Sequence, residues 1–184
     1  MAPDRQAGIR KGTPEYRRAS FALLFAGLAI FNSLYATQAL LPTLTDELGM
    51  TEGQAALTVS ATTGGLALCV VPASILSERF GRGRVLIISA LLATTLGLAL
   101  PLAQTGGQLI TMRFIQGCLI AGTPAVAMTW ISEEIAAEDS AGAMGLYVAG
   151  NSIGGLIGRL VPAFTLEVAG WRTALFAGAV TALT

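Results

Sequence analysis

The sequence predicts an all-α membrane protein, and three observations lead to that prediction. Hydrophobic residues make up 53% of the 184 residues, and the mean hydropathy is +0.67. Charged residues make up only 12%, whereas soluble domains carry about 25%. The charges are also clustered, which leaves six apolar runs, most of them near the ~20 residues that a helix needs to cross a bilayer.

The composition excludes several classes of chemistry. The chain has no histidine, so a histidine-ligated metal or a serine–histidine triad cannot form within it. Its one lysine, Lys11, follows no glycine-rich loop, so an ATP-binding P-loop is missing. The net charge is zero, which argues against a nucleic-acid partner. We expect no metal, no cofactor and no enzymatic activity, and we expect Cys69 and Cys118 to be free buried thiols.

The first three predicted spans follow a polar segment. Residues 1–18 are expected to form a flexible cytoplasmic tail, and residues 19–184 a bundle of membrane-spanning helices. The first span covers 20–41 and carries no charge. It is longer than the apolar region of a signal peptide and further spans follow, so we expect a retained helix. The second span covers about 55–77 and the third about 85–103.

Three further spans complete the bundle. The fourth covers about 109–131, and the fifth about 142–164. The sixth, 174–184, reaches only about half the length that a bilayer requires, so we expect a sequence truncated within its sixth helix. Eight of the eleven basic residues lie in the tail and in the loop after span two. The positive-inside rule therefore predicts a cytoplasmic N-terminus.

A dense charged segment joins spans two and three. It holds an acid, a glycine and three arginines: Glu78, Arg79, Gly81, Arg82 and Arg84. An acid beside arginines at a helix junction can form ion pairs and cap helix ends.

This segment resembles the signature loop of the major facilitator superfamily, although Ser74 and Glu78 stand where that pattern has glycine and aspartate. The resemblance implies a latch that holds the cytoplasmic side closed. We expect Glu133 and Glu134, at the end of span four, to pair with Arg82 or Arg84.

Span four contains a second motif, in which Arg113 and Gln116 are three residues apart and share a helix face. An arginine within a span predicts a functional role, facing a cavity or a partner charge. The stretch Arg113–Gly117 resembles the fourth-helix motif of the same superfamily.

Span five contains two stripes with a four-residue period. Gly150, Gly154 and Gly158 form a smooth stripe where another helix can approach closely. Beside it run Asn151, Gly155 and Arg159. The region resembles the glycine-rich fifth-helix motif of antiporters in the superfamily, with Gly155 at the position that this motif gives to proline.

Span one adds Asn32, Tyr35 and Gln38 as polar groups that can line a cavity. No Asp or Glu lies inside any predicted span, whereas proton-driven members of the superfamily use a membrane carboxylate. Two explanations remain open at this point. Either the coupling acid lies in the rest of the protein, or Arg113 and Arg159 bind an anionic solute directly.

The resemblance implies the N-terminal six-helix half of a twelve-helix major-facilitator fold in the bacterial inner membrane. Its expected partners are a small-molecule solute, the lipid bilayer and the missing C-terminal six-helix half. The predicted function is secondary transport by alternating access, with proton-coupled efflux antiport as the leading form. Anion exchange or facilitated transport, the membrane subunit of an ATP-driven transporter and an integral-membrane enzyme are the alternatives.

Overall fold

The computed structural model describes residues 8–183, and the regular elements of this range are helices. Residues 8–183 contain no β-strand, only an isolated parallel bridge between Ile9 and Ile135. The expected all-α fold is therefore confirmed. The helices are helix 1 (Pro14–Tyr35, continued by Leu41–Leu48), helix 2 (Glu52–Phe80), helix 3 (Arg82–Ala99), helix 4 (Gly106–Ile120, continued by Gly122–Glu134), helix 5 (Ala137–Val168) and helix 6 (Trp171–Leu183).

Four helical segments within the described range are long and apolar enough to cross a membrane by length and composition: Pro14–Leu48, Glu52–Phe80, Arg82–Leu102 and Gly106–Glu134. Helix 5 has 32 residues, but its many glycines and its Asn and Arg residues lower its hydropathy. Helix 6 extends for 13 residues. The chain therefore has the helices of an integral membrane protein. Several of them extend beyond the apolar runs, because a helix continues into polar sequence until a capping residue ends it.

Part of the polar N-terminal segment has regular structure, from residue 8 onward. Helix 1 begins at Pro14, because the Thr13 hydroxyl accepts a hydrogen bond from the Tyr16 N–H at 3.2 Å and Pro14 suits the first helical position. Residues 8–13 then cross the loop between helices 4 and 5. The Ile9 N–H donates to the Glu134 carbonyl at 2.8 Å, and the Ala136 N–H donates to the Ile9 carbonyl at 3.0 Å.

We call residues 8–13 the N-terminal strap. Its backbone is further held by a hydrogen bond from the Lys11 N–H to the Asp139 carboxylate at 2.8 Å. The first seven residues of the expected tail lie outside the described range. The end of the bundle that carries the strap, the Gly81 turn and the Glu134–Ala136 loop is called the strap end below.

The turn at Gly81 sets the direction of helix 3. Gly81 has φ = 94°, and its N–H donates to the Ser77 carbonyl at 3.0 Å, which closes helix 2. Helix 3 begins at the next residue, Arg82. A side chain at φ near +90° would crowd the neighbouring carbonyl oxygens, so this sharp connection requires glycine.

Two pairs of helices pack at short range through glycines. Helices 1 and 5 form one pair, and helices 2 and 4 form the other. In the second pair, a Cβ on Gly117 would overlap the Thr62 backbone, and a Cβ on Gly65 would overlap the Phe114 carbonyl. Such small residues are typical of helix contacts in membranes, where the backbones must approach closely.

Candidate functional site

Arg113 lies at the centre of the bundle, and its side chain is completely buried. Its Nη1 donates to the Ser33 carbonyl at 2.8 Å, and its Nη2 donates to the Leu34 carbonyl at 2.6 Å. Its Nε donates to the Thr58 carbonyl of helix 2 at 3.1 Å. One side chain of helix 4 therefore ties together helices 1, 2 and 4.

The carbonyls that Arg113 binds are available because the first part of helix 1 ends at Tyr35. The last four carbonyls of an α-helix have no partner within it, and Ser33 and Leu34 belong to that last turn. The same carbonyls form the negative end of the helix dipole, which a guanidinium stabilises. The break in helix 1 thus supplies free carbonyl acceptors for the buried guanidinium, and the guanidinium supplies the donors that these carbonyls lack.

Gln116 extends this network to helix 3. Its Oε1 accepts a hydrogen bond from Arg113 Nη1 at 2.6 Å, and its Nε2 donates to the Ala93 carbonyl at 3.0 Å. The two side chains therefore share a face, as their spacing indicates, but that face points into the packed centre. In this conformation the described contacts of Arg113 and Gln116 are with protein groups, and neither side chain faces a solute cavity.

The glycine stripe of helix 5 contacts helix 1 in a matched register. Cβ atoms on Gly150, Gly154 and Gly158 would overlap backbone atoms of Leu24, Leu28 and Asn32, respectively. Each glycine is four residues from the next, and so is each of its partners. Every one of these contacts is with main-chain atoms, which cannot move aside as a side chain can. A larger residue at any of the three glycine positions would therefore force helices 1 and 5 apart.

Asn32 lies where helices 1, 5 and 6 meet, and it is fully buried. Its Nδ2 donates to the Gly178 carbonyl at 3.1 Å and to the Thr181 hydroxyl at 3.0 Å. Asn151 packs beside Gly27 of helix 1, where a Cβ on Gly27 would lie 2.5 Å from Asn151 Oδ1. Both asparagines therefore lie between helices, and neither takes part in the cluster described next.

Arg159, Tyr35 and Gln38 form an exposed polar cluster on the surface of the bundle. The Arg159 guanidinium lies 4.0 Å from the centroid of the Tyr35 ring, and its Nε donates to Gln38 Oε1 at 2.7 Å. Its Nη1 makes a long contact, 3.4 Å, with the Gly155 carbonyl. We call these residues the Arg159 cluster.

Gly155 makes room for this arrangement. A Cβ on Gly155 would lie 3.3 Å from two carbons of the Tyr35 ring, so a larger side chain would press the ring away from helix 5. The sequence indicated the polar residues of helix 1 and of helix 5 separately. It gave no sign that Tyr35 and Gln38 meet Arg159, because these residues are more than a hundred positions apart.

An ion pair joins helices 3 and 4 at the strap end. Arg82 donates from Nε to Glu133 Oε2 at 2.5 Å and from Nη2 to Glu133 Oε1 at 2.7 Å. Both partners are partly or largely exposed. It is the one salt bridge within residues 8–183. Four other charged residues of this end are exposed and have no ion-pair partner in that range: Glu78, Arg79, Arg84 and Glu134.

The sequence did not predict the N-terminal strap or the contacts of Arg172. The strap could have been recognised in part, because Thr13 followed by Pro14 and Glu15 is a typical helix start. Arg172 at the end opposite the strap stacks on the Trp171 ring at 4.4 Å from its centroid. It also donates to the carbonyls of Pro101 and Ala103 after helix 3, and backbone acceptors leave no sequence signal.

Comparisons with known proteins cover most of this chain. The model of the Major Facilitator Superfamily matches residues 23–184. The inner membrane transport protein YnfM of Escherichia coli is 38% identical over 169 residues, which cover 92% of this chain and 40% of that protein. The MFS-type transporter YybF of Bacillus subtilis is 40% identical over 167 residues, 91% of this chain and 41% of YybF.

A transporter of Buchnera aphidicola, BU588, is 32% identical over 167 residues and is matched over 41% of its length. The chain thus spans about 40% of the length of the curated relatives that it matches. The family match covers most of the chain, and it agrees with the helical fold and with the four long apolar segments. The chain belongs to the Major Facilitator Superfamily.

Proposed function

We propose that the whole protein is a secondary transporter of a small solute and that this chain supplies its first six-helix bundle. Transport occurs by alternating access, with the solute held between this bundle and a C-terminal six-helix half. The relatives in the superfamily support this proposal. The proposed binding of the solute by this bundle rests on one observation, the exposed cluster of Arg159, Tyr35 and Gln38 between helices 1 and 5.

The Arg159 cluster has the properties of a solute-binding group. A charged side chain within a membrane helix is costly unless it faces water or a partner, and Arg159 is exposed. Tyr35 and Gln38 hold the guanidinium in place without neutralising it, because a π face and an amide oxygen carry no net charge. The remaining donors of Arg159 are available to a carboxylate, phosphate or carbonyl of a solute.

We propose proton-coupled efflux antiport as the form of transport, in the bacterial inner membrane and with a cytoplasmic N-terminus. The predicted spans of residues 8–183 hold no Asp or Glu that could carry the proton, so the coupling carboxylate of this mechanism is placed in the C-terminal half. The ion pair between Arg82 and Glu133, with Glu78 and Arg79 exposed nearby, is the proposed latch of the strap end.

Anion exchange or facilitated transport is the second candidate, and one observation favours it. Arg159 is an exposed cation without a carboxylate partner among the described residues. Of the two arginines considered for anion binding, Arg159 fits this role better, because the Arg113 guanidinium is occupied by three carbonyls and Gln116.

The test uses the full-length protein in inverted membrane vesicles with an imposed pH gradient. A pH-sensitive dye reports proton movement when benzoate, as a model anion, or tetraphenylphosphonium, as a model cation, is added. Antiport predicts that a transported solute collapses the gradient. Exchange predicts uptake of labelled benzoate driven by internal benzoate, without proton movement. ATP-dependent uptake without either response would contradict both forms.

Two variants test whether the Arg159 cluster binds the transported solute. Arg159→Gln should abolish transport of the solute that the wild type moves, because the cation is lost while the side chain keeps polar groups. Arg172→Gln is the matched control, since Arg172 also stacks on an aromatic ring but lies at the end opposite the strap. Full transport by Arg159→Gln would contradict the proposed role of the cluster.

A further inference from the structure

An apolar groove of about 340 Å³ runs along the bundle between helices 2 and 3. Helix 4 forms its floor through Cys118, Leu119 and Gly122. The expected burial of Cys118 and of Cys69 is only partial, and Cys118 faces this groove. The side walls are large apolar side chains, each about half exposed: Leu76, Phe80, Ile88 and Leu92.

Arg84 places a cation at the strap end of the groove. It is the first residue of helix 3 that lines the groove, and its side chain is exposed. Within residues 8–183 it has no ion-pair partner, whereas the neighbouring Arg82 is bound to Glu133. The groove therefore combines one cationic end with apolar walls, and a matching ligand has an anionic group joined to an apolar chain.

The sequence around the groove indicates that Arg84 lies at the surface of the membrane. No charged residue occurs between Glu52 and Glu78 or between Arg84 and Arg113, so the charges stop where the groove begins. Trp130 packs beside the preceding residue, since a Cβ on Gly83 would lie 3.9 Å from Trp130 Nε1. Tryptophan is enriched at the level of the lipid head groups.

The length of the groove fits one leaflet of a bilayer. Arg84 and Leu92 are eight residues apart on helix 3, which corresponds to about 12 Å along the helix. The hydrocarbon of one leaflet is about 15 Å deep. A chain that starts at Arg84 can therefore follow the groove through most of one leaflet.

We propose that this groove binds one anionic phospholipid, with its phosphodiester at Arg84 and one acyl chain along helices 2 and 3. A guanidinium can donate two parallel hydrogen bonds to a phosphodiester. The acyl chain covers the apolar walls that the bundle leaves exposed. This site shares no residue with the Arg159 cluster, and it does not depend on the solute that the protein moves.

The two parts of the groove select this ligand over simpler ones. A free phosphate would gain nothing from the apolar walls, and a purely apolar molecule would leave Arg84 without a partner. An ethanolamine head group brings a positive charge next to the guanidinium, whereas a glycerol head group adds no second charge. A phosphatidylglycerol satisfies both the cation and the walls.

The first test measures lipid binding to the full-length protein by native mass spectrometry in a mild non-ionic detergent. Titration with dioleoylphosphatidylglycerol should fill one tight site, and dioleoylphosphatidylethanolamine should bind more weakly. Arg84→Gln should weaken the binding of phosphatidylglycerol by about fivefold or more, as expected for one basic side chain at a phosphate. Arg17→Gln is the matched control, because Arg17 is exposed at the strap end but does not line the groove. It should bind as wild type does.

The second test addresses the acyl chain. Ala73→Phe fills the groove and keeps Arg84, so it should also weaken binding, whereas Ala67→Phe, at an exposed position of helix 2 outside the groove, should not. Glycerol 3-phosphate, which has no acyl chain, should not displace the lipid. A phosphatidylglycerol with a photoreactive diazirine on its acyl chain should label the peptides of helices 2 and 3 that line the groove.

Four results would overturn the proposal. They are equal affinity of wild type and Arg84→Gln for phosphatidylglycerol, equal affinity of wild type for the two lipids, displacement of the lipid by glycerol 3-phosphate, and labelling confined to peptides outside the groove. Each of them concerns lipid binding alone, so none bears on whether the protein transports a solute.

Discussion

Replacing Arg113 by methionine tests whether the buried guanidinium stabilises the bundle. Arg113→Met keeps a long, flexible side chain but removes four hydrogen bonds. The Ser33 and Leu34 carbonyls and the Gln116 Oε1 atom then lose the donor that they share. Each buried acceptor without a donor costs about 1 kcal/mol or more, so the free energy of unfolding should fall on the order of 3 kcal/mol.

The assay is reversible unfolding of the full-length protein in mixed dodecylmaltoside–SDS micelles, followed by tryptophan fluorescence. Arg159→Met is the control, because Arg159 is exposed and its loss should change stability by less than about 1 kcal/mol. A double-mutant cycle with Gln116→Leu should show a positive coupling energy, since the two side chains are bonded to each other.

One result would refute this reasoning. If Arg113→Met unfolds at the same SDS fraction as wild type, the desolvation of the buried guanidinium costs as much as its hydrogen bonds contribute. Exchange of a buried charge for an apolar side chain can be neutral in that way. Arg113 would then be retained for a purpose other than stability.

Three further predictions concern the packing and the turns. Gly154→Ala should destabilise the bundle by about 2 kcal/mol or more, because the added Cβ would lie 2.7 Å from Leu28 Cα. The control is Gly145→Ala, because no atom lies within 4 Å of a Cβ at that position. In the same SDS titration, this control should be neutral or slightly stabilising. Gly81→Ala should cost about 1–2 kcal/mol at φ = 94°, while Gly83→Ala should not, and equal midpoints for these two variants would contradict the role of the turn. Arg82→Glu and Glu133→Arg should each break the ion pair between helices 3 and 4, and the double exchange should restore it. Because the pair is exposed, its coupling energy should stay below about 1 kcal/mol and fall with added salt.

The sequence predicted the fold well because apolar runs, caps and glycines act locally. The all-α class and the six helices follow from the spacing of charges along the chain. The four-residue spacing of Gly150, Gly154 and Gly158 likewise indicates a close helix contact, although it does not show that helix 1 is the partner. Helix boundaries were less predictable, since Thr13 starts helix 1 within a segment that looked like a polar tail.

The candidate site was harder to predict for a physical reason. Arg113 and Gln116 are bonded mainly to backbone carbonyls, and every residue type carries the same carbonyl. The sequence could therefore place them on one helix face but could not give the direction of that face. The contact of Arg159 with Tyr35 and Gln38 depends on how helices 1 and 5 pack, which no local pattern encodes.

The N-terminal strap has a consequence for the order of folding. The Lys11 N–H binds a carboxylate 128 residues later in the chain, and Asn32 binds helix 6 at a separation of 146 residues. The first contact can form only after the start of helix 5 has emerged from the ribosome, and the second only after helix 6 has emerged. Residues of helix 1 and of the strap thus wait for partners from the later part of this bundle. During that interval helix 1 relies on lipid for its apolar face, while its glycine partners and the Arg113 guanidinium are still absent. The strap can therefore close once the start of helix 5 has been made, whereas Asn32 obtains its partners only when helix 6 is in place.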